Sequence, residues 1–307
     1  MIKKIKIGTR GSSLALWQAN TVKNAIQSKY PNIDVEIVKI KTMGDKIKDV
    51  PLAKIGGKGL FLKEIEEALL SNKIDMAVHS MKDVPVILPE GLGIFATLKR
   101  EDPRDALISQ KYSNLKNFPE KSVIGTSSLR RKAQILKYNS GLNIKDLRGN
   151  IQTRLKKMKE LQYDGIILAM AGLLRLGLTN LITEAIDFNL MIPAVCQGII
   201  GIEVGNDNEN IKKLICHLND RDTHTSALAE RAFLKKLGGS CQTPIGCICT
   251  FANTKTLHLK GFVSSIDGKI FITGEKEGSI YEPERLGEDL GNELLDRGGN
   301  ELVREFL

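Results

Sequence analysis

Cys241 lies in Gly238-Gly239-Ser240-Cys241-Gln242-Thr243-Pro244-Ile245-Gly246, a loop with glycine at both ends. A thiol presented on a flexible loop suits covalent attachment or nucleophilic chemistry better than core packing. Upstream, Asp75-Met76-Ala77-Val78-His79-Ser80-Met81-Lys82-Asp83-Val84-Pro85 runs an apolar strand pattern into polar residues and a proline stop. Polar groups at the carboxyl end of a strand face the crevice in which α/β proteins bind ligands, which singles out Asp83, with Lys82 beside it. A carboxylate next to an electron-rich heterocycle stabilises a developing cation. At about 4 Å and an effective dielectric of about 20 the attraction is roughly 4 kcal/mol, or roughly a thousandfold in rate. The plainer reading of Lys82 and Asp83 is a neighbouring surface pair.

Cations recur beside turns. Ile7-Gly8-Thr9-Arg10-Gly11-Ser12-Ser13-Leu14 is echoed by Ile124-Gly125-Thr126-Ser127-Ser128-Leu129-Arg130-Arg131, each an apolar strand feeding a Gly-Thr-Ser turn and a helix. Backbone N–H groups and the aligned peptide dipoles at a helix start favour an anion. Ser12 and Ser128 are also ordinary helix caps, but capping leaves the arginines unexplained. Leu147-Arg148-Gly149-Asn150-Ile151-Gln152-Thr153-Arg154 has Asn150 at a cap position flanked by Arg148 and Arg154, and Arg175 follows another strand. Guanidinium groups bind carboxylates bidentately. Arg10, Arg130, Arg131, Arg148, Arg154 and Arg175 at matched strand ends therefore describe a groove for a polyanionic ligand. Gly56-Gly57-Lys58-Gly59, preceded by the polar stretch that ends at Lys54, lacks the Gly-Lys-Ser/Thr ending of a P-loop. It reads as a lid carrying Lys54 and Lys58 over an anion, with a functionless flexible segment as the alternative.

These residues need a scaffold. Short β-branched runs at Lys4 to Gly8, Val35 to Ile40, Met76 to His79, Leu107 to Ser109, Val123 to Gly125, Ile144 to Leu147, Ile166 to Ala169 and Ile200 to Val204 alternate with helical patterns. The helices are expected at Leu14 to Ser28 and near 60–71, 128–138, 150–161, 208–218 and 223–237. Strand followed by helix, repeated, predicts a parallel α/β sheet. After Gly246 three adjacent strand-like runs, Cys247 to Ala252, Thr256 to Ser264 and Ile270 to Thr273, precede a helical stretch from Pro283 to the end, which predicts a separate α+β domain.

A chain of 307 residues with 42% hydrophobic composition exceeds what one core usually supports, so two or three domains are expected. The net charge of +9 biases the surface toward anions, yet aromatic residues make up only 5%, too few and too scattered for nucleic-acid stacking platforms. The odd set of cysteines at 196, 216, 241, 247 and 249 argues for reduced thiols in a cytoplasmic compartment. None has the paired spacing of a zinc site, so no metal is expected. The first residues alternate lysine with isoleucine and lack a signal-peptide core, and the apolar run Gly165 to Leu174 is too short to span a bilayer.

In sequence order, Arg10-Gly11-Ser12-Ser13-Leu14-Ala15, Thr42-Met43-Gly44-Asp45, the glycine lid, His79 to Pro85, Arg100 to Asp105, Gly125 to Arg131, Leu147 to Asn150 and Gly239 to Gly246 resemble the porphobilinogen deaminases, also called hydroxymethylbilane synthases. The resemblance covers nearly the whole chain. It implies three domains: two lobes like those of periplasmic binding proteins around a cleft, at 1–98 with 193–218 and at 99–192, and a C-terminal domain at 219–307. It implies a dipyrromethane cofactor held through a thioether on Cys241, and head-to-tail joining of four porphobilinogen units with release of hydroxymethylbilane and ammonia in tetrapyrrole synthesis. Asp83 then becomes the catalytic carboxylate with Lys82 nearby, and Ser128, Arg130, Arg131, Lys82 and Asp83 contact the cofactor. Arg10, Ser12, Arg148, Arg154, Arg175, Lys54 and Lys58 receive the acetate and propionate arms. A cytoplasmic monomer without nucleic-acid or membrane partners is implied. Cys196 stands where a small residue is expected, and Leu62 replaces a common hydroxyl residue. A binding module that captures acidic ligands would use the same arginines but would need neither Cys241 nor Asp83, and a nucleotide-dependent transferase would bind nucleotide.

Overall fold

The computed structural model describes residues 2–46, 62–239 and 243–304. Its strands, in chain order, are β1 (Lys4–Thr9), β2 (Asp34–Lys39), β3 (Met76–Ser80), β4 (Leu92–Thr97), β5 (Asp105–Ile108), β6 (Val123–Gly125), β7 (Asn143–Lys145), β8 (Gly165–Ala169), β9 (Glu184–Ile186), β10 (Ile200–Gly205), β11 (Ile245–Asn253), β12 (Thr256–Ser264) and β13 (Phe271–Ser279). The chain divides into two compact units, Met1–Glu101 with Ile199–His224, and Asp102–Gly198 with Thr225–Leu307.

The first unit holds a five-stranded sheet in the order β2-β1-β3-β10-β4. β1 alternates exposed Lys4 and Lys6 with buried Ile5 and Ile7. Helix Ser13–Lys29 lays Ala19, Val22 and Ile26 on that buried face, a spacing that places all three on one side of a helix. The second unit repeats the arrangement as β7-β6-β8-β5-β9. The two echoed turns therefore occupy equivalent places: β1 and β6 are each the second strand of their sheet, and each runs parallel to both neighbours.

The expectation of a purely parallel sheet is corrected by β10, antiparallel to β3 and β4, and by β5, antiparallel to β8 and β9. Each reversed strand is the first one laid down after the chain passes from one unit to the other. No helical crossover precedes it, and parallel pairing depends on such crossovers. β4 and β9 escaped the sequence reading: β4 follows β3 without an intervening helix, and β9 is only Glu184–Ile186.

The remaining part of the second unit is an antiparallel meander, β11-β12-β13, covered by helix Pro283–Leu294. β11 is buried on both faces from Ile245 to Cys249, so Cys247 and Cys249 are core residues. The predicted unbroken C-terminal helix is interrupted at Leu295–Gly299, where Gly298 adopts φ 102°, and resumes at Asn300–Arg304. That left-handed backbone suits glycine and ends regular helix. The fold is thus mixed α/β with two sheet-bearing lobes and a small C-terminal α+β domain, as expected from the sequence.

Candidate active site

Because β1 and β3 are adjacent and parallel, their carboxyl ends deliver two sequence-distant turns to one place. There a pocket of about 90 Å³ is lined by Arg10, Ser12, Gln18, His79, Ser80 and Asp83. Ser12 caps helix Ser13–Lys29, its Oγ accepting the Ala15 N–H at 3.2 Å. The helix start is thereby settled and Arg10 stands just before it. Asp83 ends the short turn Met81–Asp83 and is exposed. The turn is held at both ends, the Met81 N–H donating to the Ile199 carbonyl at 3.0 Å and the Val84 N–H to the Met81 carbonyl at 3.1 Å. Lys82 is half-buried in the same turn but does not line the pocket.

Three polar pocket residues, Gln18, His79 and Ser80, were not among the sequence-based candidates. Gln18 is 2% exposed and donates from Nε2 to the Ser80 Oγ at 2.8 Å. Its signal was a polar side chain at position i+4 from Leu14 and i−4 from Val22, on the apolar stripe. His79 lies 2.9 Å through Nε2 from Oε2 of Glu203, a carboxylate buried completely on β10. No local pattern links residues so far apart in the chain.

In the second unit, helix Leu129–Tyr138 starts at Ser128, whose side chain makes no cap bond, unlike Ser12. Arg130 and Arg131 in its first turn are buried, and the anion that offsets them is the protein's own Asp105, on β5. Arg131 donates to Asp105 Oδ1 from Nε at 3.1 Å and Nη2 at 2.7 Å, and Arg130 Nη2 lies 2.8 Å from Oδ2. Arg130 also donates to the Ile192 carbonyl and Arg131 to the Ile167 carbonyl. Burial alone would raise the Asp105 carboxyl, but the two guanidiniums, with hydrogen bonds from Arg131 and Gln197, hold it well below the usual carboxylate range. Arg175 is buried and donates to the Gly198 carbonyl at 2.6 Å. Asn150 caps its helix as expected, accepting the Thr153 N–H at 2.8 Å. Half-buried Arg154 donates to the Gly149 carbonyl at 2.7 Å, and Arg148 is half-buried just before the cap.

Lys54, Lys58 and Cys241 lie outside the described residues. The elements flanking Cys241 are helix Arg221–Lys236 and β11, and they are tied together by buried Glu230. One of its oxygens accepts the Cys196 N–H at 2.6 Å and the other the Cys249 N–H at 2.9 Å. Cys196 itself is buried with φ 58°.

The chain matches two family models: porphobilinogen deaminase, dipyromethane cofactor binding domain, over residues 5–213, and porphobilinogen deaminase, C-terminal domain, over 224–296. A porphobilinogen deaminase of Carboxydothermus hydrogenoformans is 52% identical over 306 residues, covering 100% of this chain and 98% of the relative. One of Trichlorobacter lovleyi is 50% identical over 303 residues, 99% of this chain and 96% of the relative. Among solved structures, the methionine binding protein MetQ shares 17% identity at a TM-score of 0.45, over 75% of this chain and 92% of that one, a likeness too loose to assign a ligand. Two family models that between them span most of the sequence, and relatives about half identical from end to end, place this chain in the porphobilinogen deaminase family.

Proposed function

We propose that the chain is a hydroxymethylbilane synthase, a transferase of tetrapyrrole biosynthesis that deaminates porphobilinogen and joins four units head to tail on a dipyrromethane primer. The observation that carries this reading is the placing of Arg10, Ser12, Ser80 and Asp83 around one pocket at the ends of β1 and β3. The donor set fits linked pyrroles. A carboxylate suits pyrrole N–H donors, and a guanidinium with hydroxyls suits their acidic arms. When bound, the cofactor supplies the pyrrole α-carbon to which the first monomer is joined; Cys241 would hold it, with Ser128, Lys82 and Asp83 in contact. Arg130 and Arg131 would reach it through the N–H donors that Asp105 leaves over.

Toward the substrate, Arg10 and Ser12 bind an acetate or propionate arm, and Arg148, Arg154, Arg175, Lys54 and Lys58 serve the arms of the lengthening product. Each monomer brings two carboxylates, so many cations are needed to avoid crowding like charges. Asp83 faces the ring nitrogen. As the C–N bond to the aminomethyl carbon breaks, its electron pair leaves with ammonia and positive charge spreads over the ring, which the Asp83 carboxylate offsets. The attacking α-carbon would supply the electron pair of the new C–C bond, and the positive charge that this passes to its ring would leave with the α-proton, with Asp83 offsetting it meanwhile. The reading includes three domains at 1–98 with 193–218, 99–192 and 219–307, supported by three separate sheets. It also includes a cytoplasmic monomer acting without nucleic acid or membrane. The odd number of cysteines, five, supports a reducing compartment, and among the described residues no helix is long and apolar enough to cross a membrane.

Intact-mass measurement of the purified protein tests the proposal. The expected result is an excess equal to two linked pyrrole rings, a positive reaction with Ehrlich's reagent, and loss of both in Cys241→Ser. An unmodified thiol at Cys241 in protein that consumes porphobilinogen at full speed would overturn it.

A further inference from the structure

At the pocket wall and behind it, His79, Glu203 and Glu66 bring two carboxyls and an imidazole into one buried cluster, contributed by β3, β10 and helix Lys63–Leu70. The arrangement is costly. Glu203 is 0% exposed, and its Oε1 has no hydrogen-bond partner among the described residues. A buried, half-satisfied carboxyl group forfeits its hydration, a cost that apolar packing of similar volume would avoid, so its presence calls for an explanation. Its other oxygen holds His79, the residue two before the turn that bears Asp83.

The main chain adds a second tie from the same strand. Ile200 and Gly201 pair with Ser80 and His79, and the Ile199 carbonyl immediately before β10 accepts the Met81 N–H. β10 therefore grips the end of β3 through its backbone and through one buried side-chain contact, Glu203 to His79, directly upstream of the exposed carboxylate. Glu66 is pushed up by burial and by the Glu203 carboxylate, partly offset by His79, so it is the acid that retains its proton more readily than an ordinary glutamate. Arg10 and Asp83 are the charged side chains that line the pocket together with His79.

We infer that Glu203 and His79 act as one unit of positioning residues, the buried carboxylate fixing the imidazole that sets the pocket wall and the Ser80–Asp83 turn for catalysis. The inference rests on the deaminase reading of the pocket. It assigns to the pair a share in turnover rather than in substrate affinity, because neither residue belongs to the cation set that receives the acidic arms.

The experiment is a double-mutant cycle with Glu203→Gln and His79→Ala, measuring kcat and KM for porphobilinogen together with intact mass. Each single variant is expected to lose about tenfold or more in kcat with KM changed less than about threefold, while the mass excess at Cys241 persists. The double variant is expected to be little worse than the poorer single one, since residues that work as a unit lose their effect once. His79→Gln, whose amide can still donate to Glu203, is expected to recover part of the loss. Turnover near wild type in Glu203→Gln, additive losses, or losses confined to KM would each overturn the inference. If Glu203→Gln does not accumulate as folded protein, the comparison of His79→Gln with His79→Ala decides it: equal turnover in the two overturns it. Absence of both turnover and mass excess in the unsubstituted protein would instead strike the deaminase reading.

Discussion

Arg131 directs its Nε and Nη2 at the same oxygen of Asp105, at 3.1 and 2.7 Å, so a guanidinium at the positive end of a helix is neutralised from within the fold. Asp105 is the first residue of β5, and Gln197 adds a further hydrogen bond to the same oxygen at 2.9 Å. The turn at Ser128 is thereby locked to the sheet before any ligand arrives.

Asp105→Asn is expected to be strongly destabilising. Removing one partner of a buried ion pair leaves an uncompensated charge at a cost of about 3–5 kcal/mol. A urea or thermal unfolding series checks this, and a midpoint unchanged from wild type would show that the pair contributes nothing. The pH dependence has a definite sign. With its carboxyl depressed in the folded state, Asp105 contributes stability that is fully present above the ordinary carboxylate range and declines as pH falls below it. Asp105→Asn should therefore lose less stability relative to wild type in acid than at neutral pH.

Asp83→Asn keeps the shape of the side chain and removes its charge. Turnover is expected to fall by roughly a thousandfold, the loss of about 4 kcal/mol of charge stabilisation. Steady-state assays with porphobilinogen check this, and near-normal turnover would remove Asp83 from its role.

Arg10→Leu takes the guanidinium from the pocket lining. A hydrogen bond to a charged group contributes about 1.5–3 kcal/mol, so KM should rise by roughly tenfold to a hundredfold. A fall in kcat with KM unchanged would instead put Arg10 in the chemical step.

Glu230→Gln replaces an acceptor oxygen by an amide donor facing the N–H of either Cys196 or Cys249. Leaving a buried N–H unsatisfied costs about 1–3 kcal/mol, which thermal unfolding would register as a lowered midpoint. Retention of the mass excess in the same variant is expected, because Glu230 braces the elements that flank Cys241 in the chain and is not among the residues proposed to hold the cofactor.

Much of the site was legible because its parts are local. A Gly-Thr-Ser turn after a β-branched run, a proline stop after Lys82-Asp83, and Asn150 at a cap position are written in neighbouring residues, and β1, β3, β6 and β8 formed within a residue or two of expectation. Gln18 was visible only as a polar break in an apolar stripe. His79 was passed over because a histidine at the end of a buried strand has no distinguishing local context.

By itself the sequence determined where most of the strands and helices fall, the Gly-Thr-Ser turns that open two of the helices, the turn that carries Asp83, and the family to which the chain belongs. Only the tertiary structure decided that β5 and β10 run backwards in their sheets, that Arg130 and Arg131 meet Asp105, and that His79 meets Glu203. Local conformation follows from short-range sterics and hydrophobic periodicity, which neighbouring residues encode. Partners 26 and 124 positions apart meet only through strand order and register, and these are set by the packing of whole sheets.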